Sequence, residues 1–283
     1  IRDRLRSRGL GDVYKRQIYR RLPDCYPPID RRLYDLKYGH AARHADHVIA
    51  ISEATRRDVM ELYGVPESRI TVIRQGCSPI FAQEVPPTDK EAVRNRYRLP
   101  ARYLVQIGTI EKRKNLETSL RALANMPEDI HLVAVGNGRG YLKEMLDLAE
   151  ELGVRRRLHV LRDVPFADLP AIYRMALAAL YPSRYEGFGI PVLEALTCGV
   201  PTVTSNVSSL PEAGGDAAFL VAPDDVRALT QAVHAIYKGG PDIDARRQRG
   251  LRHAATFAAT DIADRIHSVY KTAIADHKKL RKS

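Results

Sequence analysis

Six short apolar runs separated by helical patterns place the strongest constraint on the fold of this 283-residue chain. Each run is continuous rather than alternating, which is typical of parallel strands that are buried on both faces. The intervening segments have helical spacing; in residues 115–126, for example, Leu116, Leu120 and Leu123 fall on one face. The runs are YLVQI (103–107), HLVAV (131–135), LHVL (158–161), LAALYPS (177–183), VPTVTS (200–205) and AAFLVAP (217–223).

This pattern predicts an α/β fold with a doubly wound domain over residues 101–260. In such sheets ligands bind at the carboxyl ends of the strands, so the loops after the runs are the places to search for a site. A helix and a basic tail are expected over residues 261–283.

A shorter α/β pattern precedes this domain. Residues 31–45 have a helical pattern, residues 47–52 and 69–74 are strand-like, and Ser52 can cap the helix that follows it. Two strands are too few for a complete domain, so residues 18–80 are expected to be a remnant of one. Residues 81–100 contain three prolines and predict a linker with one short helix.

The net charge of +11 lies mostly at the two ends of the chain. Residues 1–17 and residues 277–283 each carry +4, which leaves +3 for everything between them. This distribution argues against nucleic-acid binding, and the tail suggests instead weak peripheral attraction to an anionic membrane. No apolar run approaches the length of a membrane-spanning helix, and three scattered cysteines favour a reducing, cytoplasmic location, which includes the inner face of the plasma membrane.

The first seventeen residues have no apolar period and resemble a translated sequencing adapter. We therefore expect residues 1–17 to be non-native and the natural N-terminal sequence to be absent.

The loop GTIEKRKN follows the first strand of the larger domain. Gly108 and Thr109 close the strand, Lys112, Arg113 and Lys114 follow, and Asn115 is placed to cap the next helix. Three cations beside a helix N-terminus favour an anion site, although a solvated basic turn has the same pattern.

Two further motifs leave alternatives open. Gly136, Gly138 and Gly140, in VGNGRG, with Asp163 after the next strand, resemble part of a nicotinamide-dinucleotide site, but the spacing and strand are not those of the fingerprint. The motif therefore favours a close backbone approach to another ligand, or a plain turn, over a dinucleotide site. The second motif, His40, His44 and His47, has helical spacing, but no carboxylate completes a metal site, which favours surface or capping roles.

The stretch YEGFGIPVLEA, residues 185–195, contains two acids. Its glycines permit close backbone approach to a ligand, and Pro191 suits the first position of a helix whose free amides favour phosphate. We place Glu194 in the first turn, where it either stabilises the helix dipole or accepts two ribose hydroxyls. Glu186 would then lie on the phosphate side, near a sugar.

Residues 183–225 resemble the E-x7-E region of the retaining GT-B glycosyltransferases of family 4. The loop GTIEKRKN is similar to the phosphate-binding loop of that family, and residues 45–76 resemble the end of its N-terminal domain. The resemblance covers nearly all of residues 18–275. It implies a GT-B fold, that is, a doubly wound Rossmann-like C-terminal domain joined to the remnant of a Rossmann-like N-terminal domain.

The resemblance also implies roles for individual residues. Lys114 matches the lysine that contacts the donor diphosphate, and Glu186 matches the glutamate that faces the transferred sugar. Glu194 matches the ribose contact. The backbone donor contacts and the nucleobase edge match Gly187, Phe188, Gly189, Ile190, Asp163 and Val164. Thr109 departs from the arginine that many members carry there, and Arg113 can supply that charge, as in the mannosyltransferase-like branch.

The expected activity is retaining transfer of a hexose, with mannose as the first choice, from a nucleoside-diphosphate sugar such as GDP-mannose. The acceptor is a glycan or a lipid-linked glycan, and no metal or other cofactor is required. The acceptor site and a sugar-contacting histidine are implied to lie upstream of residue 18, which leaves open whether this chain is active alone. Alternatives are another GT-B enzyme such as an epimerase, a nicotinamide oxidoreductase, and a protein that only binds the donor.

Overall fold

The computed structural model of the chain describes residues 12–14, 17–138, 140–257 and 261–280. These residues form two units. The smaller unit contains the residues up to Gln75 together with residues 261–280, and the larger unit begins at Gly76 and contains the rest. This division differs from the boundaries expected from the sequence, because residues 81–100 belong to the larger unit and the last helix belongs to the smaller one.

The described strands and helices alternate through most of the chain. The strands are β1 (Asp12–Tyr14), β2 (Val48–Ala50), β3 (Ile70–Val72), β4 (Tyr103–Ile107), β5 (His131–Val135), β6 (Leu158–Leu161), β7 (Ala178–Tyr181), β8 (Thr202–Ser205) and β9 (Phe219–Val221). The α-helices are α1 (Ile18–Arg21), α2 (Pro28–Tyr34), α3 (His40–His44), α4 (Glu53–Tyr63), α5 (Pro87–Tyr97), α6 (Leu116–Leu123), α7 (Gly140–Glu151), α8 (Leu169–Arg174), α9 (Ile190–Thr197), α10 (Leu210–Gly214), α11 (Val226–Lys238), α12 (Pro241–Ala255) and α13 (Ile262–Leu280).

All six predicted strands of the larger unit are present in one parallel sheet. Its order is β6-β5-β4-β7-β8-β9, which is the order of a doubly wound fold. The last three strands are shorter than the apolar runs: β7 and β9 begin after their runs start and finish before their runs end, and β8 begins two residues into its run. The order changes direction between β4 and β7, so the loops that follow these two neighbouring strands meet at the switch point.

Both faces of this sheet are covered, which explains why its strands are apolar without alternation. Leu104 and Leu132 pack on one side, in a core with α6, α7 and α11. Tyr103, Val105 and Val133 pack on the other side, in a core with α5, α8 and α9. Strands β4 and β5 therefore contribute alternate residues to two separate cores.

The smaller unit contains the parallel sheet β1-β2-β3. Helix α2 continues through a π-helical segment, Asp35–Gly39, into α3, and the buried side chains of Tyr38 and Ala42 face the core. The predicted cap is confirmed, because Ser52 Oγ accepts a hydrogen bond from the backbone N–H of Thr55 at 2.9 Å. Most of residues 1–17 lie outside the described residues, and their foreign origin stays a prediction.

Among the residues that the structure describes, no helix is long and apolar enough to cross a membrane.

Candidate functional site

The loops after β4 and β7 carry a cluster of three charged side chains, of which Glu186 is buried and Arg113 and Lys114 are largely buried. Glu186 Oε1 lies 2.6 Å from Lys114 Nζ, and Glu186 Oε2 lies 2.7 Å from Arg113 Nη1. The Glu186 residue is only 8% exposed. Arg113 also pairs with Glu111, at 2.5 Å from Nη2 to Oε1. The structure therefore brings together the three charged residues to which the family resemblance gives the diphosphate and sugar contacts.

Burial and the neighbouring charges act on the cluster in opposite directions. Burial alone would raise the pKa of Glu186, but the charges of Lys114 and Arg113 outweigh it, so the pKa is lowered. Burial lowers the pKa of Lys114, and the nearby Arg113 adds to this, although Glu186 opposes both. The pKa of Arg113 is raised, since its carboxylate partners outweigh its own desolvation. Glu186 is therefore a stable anion that holds two cations in place.

Hydroxyl groups complete the coordination of Glu186. Ser183 Oγ donates to Oε1 at 2.7 Å, and the Tyr181 hydroxyl donates to the same oxygen at 3.1 Å. Lys114 Nζ also donates to the Tyr181 hydroxyl and lies 4.6 Å from the centre of that ring. The sequence analysis did not single out Tyr181 or Ser183, since both lie at the end of an apolar run that indicated only a strand.

Ser208 and Ser209 fix the backbone of the glycine-rich turn. The backbone N–H of Glu186 donates to Ser208 Oγ at 3.0 Å. Ser209 Oγ lies within hydrogen-bond distance of the carbonyl oxygens of Glu186 and Phe188, at 3.0 and 2.8 Å. Gly187, Phe188 and Gly189 are all buried, so the turn that was predicted to contact phosphate is a packed segment of fixed shape.

Asn115 stands at the N-cap position of α6, as predicted, but its side chain makes no cap hydrogen bond. The residue has a φ of 58°, in the left-handed region. Its Nδ2 donates to the carbonyl oxygens of Pro182 and Pro223, at 3.0 and 2.7 Å. The capping prediction was therefore wrong in its chemistry, because the amide ties three loops at the carboxyl edge of the sheet instead.

Helix α9 begins directly after the glycine-rich turn. Gly189 is its N-cap, with a φ of 115°, and a Cβ atom there would lie 2.9 Å from Leu210 Cδ2. Pro191 is the second helical residue, where a missing N–H costs nothing because the first N–H groups of a helix have no partner. The backbone N–H groups of Val192 and Leu193 both donate to the Gly189 carbonyl, at 3.0 and 3.4 Å, so what the start of this eight-residue helix offers an anion is mainly its dipole.

Glu194 is not in the first turn of α9, contrary to the prediction, since it is the fifth residue of the helix. The Tyr173 hydroxyl donates to its Oε2 at 3.1 Å, and Glu194 is 7% exposed. Burial raises the pKa of Glu194 to about 7, although the tyrosine hydrogen bond opposes the shift. This position argues against the interpretation that Glu194 stabilises the helix dipole, because the dipole acts mainly on charges in the first turn.

The glycines of VGNGRG accommodate the neighbouring loop of the same unit. A Cβ atom on Gly136 would lie 2.1 Å from the carbonyl oxygen of Gly108. One on Gly138 would lie 2.9 Å from the Cβ of Ile110, which forms an isolated bridge with Gly138. The backbone N–H of Gly108 donates to the Val135 carbonyl at 2.9 Å. Two of these three glycines are thus explained by packing of the loop after β5 on the loop after β4.

Residues Asp163 and Val164 follow β6 at the same edge of the sheet. Asp163 has a φ of 52°, and its Oδ1 accepts a hydrogen bond from Asn137 Nδ2 at 2.9 Å. Asp163 is exposed, as is Thr109 after β4. The structure gives neither Asp163 nor Thr109 a contact with the Glu186 cluster. The donor contacts expected at this edge of the sheet stay predictions.

The three histidines of the smaller unit have other contacts. The rings of His40 and His44 stack with centroids 4.0 Å apart, and His47 Nε2 lies 2.7 Å from Thr71 Oγ1. Among the described residues there is no group of three or more His, Cys, Asp or Glu that could hold a metal ion.

Comparison with known proteins agrees with this geometry. The profile of glycosyl transferases group 1 matches residues 89–254, and that of glycosyltransferase family 4 matches residues 14–79. The chain is 33% identical over 252 residues to O-antigen chain mannosyltransferase B of Escherichia coli, covering 87% of this chain and 66% of that protein. It is 31% identical to D-inositol 3-phosphate glycosyltransferase of Mycobacterium tuberculosis, covering 82% of this chain and 50% of that protein.

The fold has a solved counterpart in Anabaena HepE, crystallised with UDP and glucose. The TM-score is 0.79 at 21% identity, with 92% of this chain and 70% of that one covered. The GT-B fold expected from the sequence is therefore confirmed. Since the group 1 profile spans more than half of the residues, the chain belongs to the group 1 glycosyl transferases.

Proposed function

We propose that this chain is the donor-binding part of a retaining glycosyltransferase, which moves a hexose from a nucleoside-diphosphate sugar to an acceptor hydroxyl. The observation that carries the proposal is the pairing of Glu186 with Lys114 and Arg113 at the switch point of the sheet. Ligands of doubly wound sheets bind at this edge. The start of α9 follows Glu186 in the same loop, which adds amides suited to phosphate.

The proposed chemistry is stabilisation of the leaving diphosphate. As the bond between the sugar and the phosphate breaks, negative charge accumulates on the diphosphate. Lys114, Arg113 and the amides at the start of α9 would meet that charge without rearrangement, because their positions are fixed beforehand. No resident metal is required in this scheme, since the two cations supply the positive charge.

The two glutamates would do different work. Glu186, an anion with a lowered pKa, is suited to orienting the cations and accepting a sugar hydroxyl, and poorly suited to donating a proton. Glu194, whose pKa is raised, would accept the ribose hydroxyls in place of water and the Tyr173 hydroxyl. A covalent intermediate of the glycosidase type would need a free carboxylate nucleophile, and both Glu186 oxygens already have charged partners.

The proposed donor is GDP-mannose, and the proposed acceptor is a glycan or a lipid-linked glycan. Relatives named as mannosyltransferases support this choice, namely O-antigen chain mannosyltransferase B and the serotype-specific mannosyltransferase WbdA, both of Escherichia coli. This chain spans 66% of the first relative and 26% of the second. A location at the inner face of the membrane and the absence of a nucleic-acid partner stay predictions.

A thermal-shift titration with GDP-mannose, UDP-glucose, dTDP-glucose and NAD tests the proposal. A ligand that binds only the folded state adds about 2.7 kcal/mol at a hundredfold excess over Kd, which raises Tm by several degrees. We expect GDP-mannose to give the largest shift. Stabilisation by NAD alone, or by none of the four, would overturn the proposal. If a sugar nucleotide binds, product analysis separates transfer from epimerisation.

A further inference from the structure

Two histidines meet on one face of the larger sheet, at the edge opposite the Glu186 cluster. His131 is the first residue of β5, and His159 is the second residue of β6. These strands are parallel neighbours in which Val133 is paired with His159, so the two histidines are two positions apart along the ladder and share a face. Because β4, β5, β6 and β7 are all parallel, the amino ends of β5 and β6 lie at the edge away from the candidate donor site.

The two rings contact each other through their nitrogens. His131 Nδ1 lies 2.9 Å from His159 Nε2, and the ring centroids are 5.1 Å apart. Two ligands at a metal–nitrogen distance of about 2.0–2.1 Å are about 2.9 Å apart when the angle at the metal is a right angle, and about 3.3 Å apart when it is tetrahedral. The pair therefore already has the spacing of two adjacent ligands of a square-planar or octahedral ion.

Both rings are in the neutral form that binds a metal. Burial lowers the pKa of His131, with Arg157 adding to the effect and Asp129 opposing it. Burial also lowers the pKa of His159, and His131 and Arg155 add to that effect. The imidazoles are thus neutral at pH 7, and a neutral imidazole is the form that coordinates a metal ion.

The arginines that act on the pair are themselves opposed by carboxylates. Arg155 Nε lies 3.7 Å from Glu150 Oε1. The charges of Glu128 and Asp129 both act on Arg157. An incoming cation therefore meets little net positive charge from these two arginines.

We propose that His131 and His159 form a site for one divalent transition-metal ion that takes imidazole ligands at right angles, namely Ni²⁺ or Cu²⁺. Imidazole suits both ions, and affinity for a given site rises from Ni²⁺ to Cu²⁺. The part of the chain that the structure describes offers no group of three or more His, Cys, Asp or Glu as ligands, so water completes the coordination. The ring that donates the hydrogen bond takes its other tautomer, so that both facing nitrogens offer a lone pair and no proton is released.

Another pair of neighbouring histidines is arranged differently. The rings of His40 and His44 are stacked, with centroids 4.0 Å apart, and His44 Nδ1 lies 2.8 Å from the backbone carbonyl oxygen of His40. Nitrogen lone pairs lie in the plane of the imidazole ring, so those of two stacked rings do not converge on one ion. The proposed site is therefore assigned to the pair in the sheet.

The proposed ion joins β5 to β6, which is the last strand at one side of the sheet. An ion that binds only the folded chain shifts the folding equilibrium towards the folded state, so binding stabilises this side of the larger unit. The inference is independent of the proposed glycosyl transfer, because metal binding is measured without donor or acceptor.

Isothermal titration calorimetry with NiCl₂ and CuCl₂ tests the proposal, using the full chain without a histidine tag in a buffer that does not coordinate metals. We expect one ion per chain, with Cu²⁺ bound more tightly than Ni²⁺. His131→Gln and His159→Gln should each weaken binding by at least about tenfold, since even the loss of a residue that only supports a ligand costs about that much. Excess Ni²⁺ should raise the Tm of the wild type and leave that of either variant unchanged.

Electron paramagnetic resonance of bound Cu²⁺ gives a readout that a merely structural role of the histidines would not produce. The spectrum of the wild type should show coupling to two imidazole nitrogens, and that of either variant coupling to one. Circular dichroism checks that the variants are folded, and if one of them is not, the other variant and the wild-type spectrum decide.

Two controls remove histidines elsewhere. His234→Gln removes a half-buried histidine from α11 of the same unit, and the double variant His40→Gln, His44→Gln removes the stacked pair. Both should bind the ions like the wild type. The proposal is overturned if the wild type binds neither ion at millimolar concentration, if both sheet variants bind like the wild type, or if binding is lost in the double variant instead.

Discussion

Glu186 and Lys114 are 72 positions apart in the sequence, yet their Oε1 and Nζ atoms lie 2.6 Å apart in a partly buried contact. Lys114 lies in the loop after β4, and Glu186 lies in the loop after the neighbouring strand β7. The pair therefore joins the cationic loop to the glycine-rich turn. It also balances charge, so that two cations can be held at the switch point before any diphosphate is present.

Replacement of Glu186 should destabilise the fold more than replacement of Lys114. Glu186→Gln leaves Lys114 without its carboxylate partner and Arg113 with Glu111 alone, whereas Lys114→Gln leaves Glu186 still paired with Arg113. Losing one partner of a buried pair costs roughly 3–5 kcal/mol. We expect Glu186→Gln to fall in that range and Lys114→Gln below it, as measured by urea unfolding.

A double-mutant cycle provides the control for this prediction. The variant with both Glu186→Gln and Lys114→Gln should be less destabilised than the sum of the two single variants. When both side chains are replaced, neither the carboxylate nor the ammonium group is left without the other. Additive losses would show that the contact carries no coupling energy.

The same two residues should matter for catalysis. Lys114→Ala and Glu186→Gln should each lower the rate of hexose transfer by on the order of a hundredfold, since each removes a contact that positions charge for the leaving group. The measurement is transfer from GDP-mannose, made at a temperature where circular dichroism shows the variants folded. Glu111→Gln is the matched control, because Glu111 contacts Arg113 with a side chain that is 41% exposed. Near-normal transfer by Lys114→Ala or by Glu186→Gln would contradict the role proposed for that residue.

Much of the fold could be predicted from the sequence because the parallel strands are buried on both faces. Continuous runs such as residues 103–107 and 131–135 leave little alternative to such a strand. The charged loop and the glycine-rich turn could also be placed, since both follow predicted strands. Their contact could not, because which loops meet depends on the order of the strands in the sheet.

The residues that support the site were missed for the same reason. Tyr181 and Ser183 contact Glu186 only because β7 ends at that point. Asn115 was expected to cap a helix, and its contacts with Pro182 and Pro223 in two other loops were not foreseen. A hydroxyl or amide at the carboxyl end of a buried strand is the available sequence signal. Glu194 was placed one position too early in the helix because the helix start was assigned to Pro191, whereas α9 begins at Ile190.

Substitutions in the glycine motif of residues 135–140 test whether its glycines are needed for packing between loops or for close approach to a ligand. Gly136→Ala should destabilise the larger unit by at least about 2 kcal/mol, since its Cβ would overlap the Gly108 carbonyl and its φ is 152°. It should also weaken donor binding by displacing the loop after β4. Gly140→Ala is the control, because a Cβ there meets nothing within 4 Å, and this variant should keep both stability and binding. Equal losses in the two variants would contradict the packing interpretation.

Donor binding should not depend on a divalent cation. Lys114 and Arg113 supply the positive charge in the proposed scheme, so the affinity for GDP-mannose should be the same with excess EDTA and with added Mg²⁺. Calorimetry of the wild type in both conditions is the measurement. A tenfold or larger loss of affinity in EDTA would show that a metal bridges the diphosphate.

The raised pKa of Glu194 predicts a loss of stability as the pH rises. Burial raises the pKa from 4.5 to about 7, so between these values the folded state holds a proton that the unfolded state has released. The free energy of unfolding should therefore fall by about 3 kcal/mol from pH 4.5 to pH 7 through this group and stay level above pH 7. Glu194→Gln should lack this component, which urea unfolding at pH 5 and pH 8 can measure as a difference between variant and wild type.

Nucleotide affinity is a second measurement of the same group. If an ionised Glu194 accepts ribose hydroxyls, the chain should bind GDP more tightly at pH 8 than at pH 6. Glu194→Ala should lose this pH dependence together with affinity. An unchanged affinity in Glu194→Ala would contradict the ribose contact even if the stability profile is as expected.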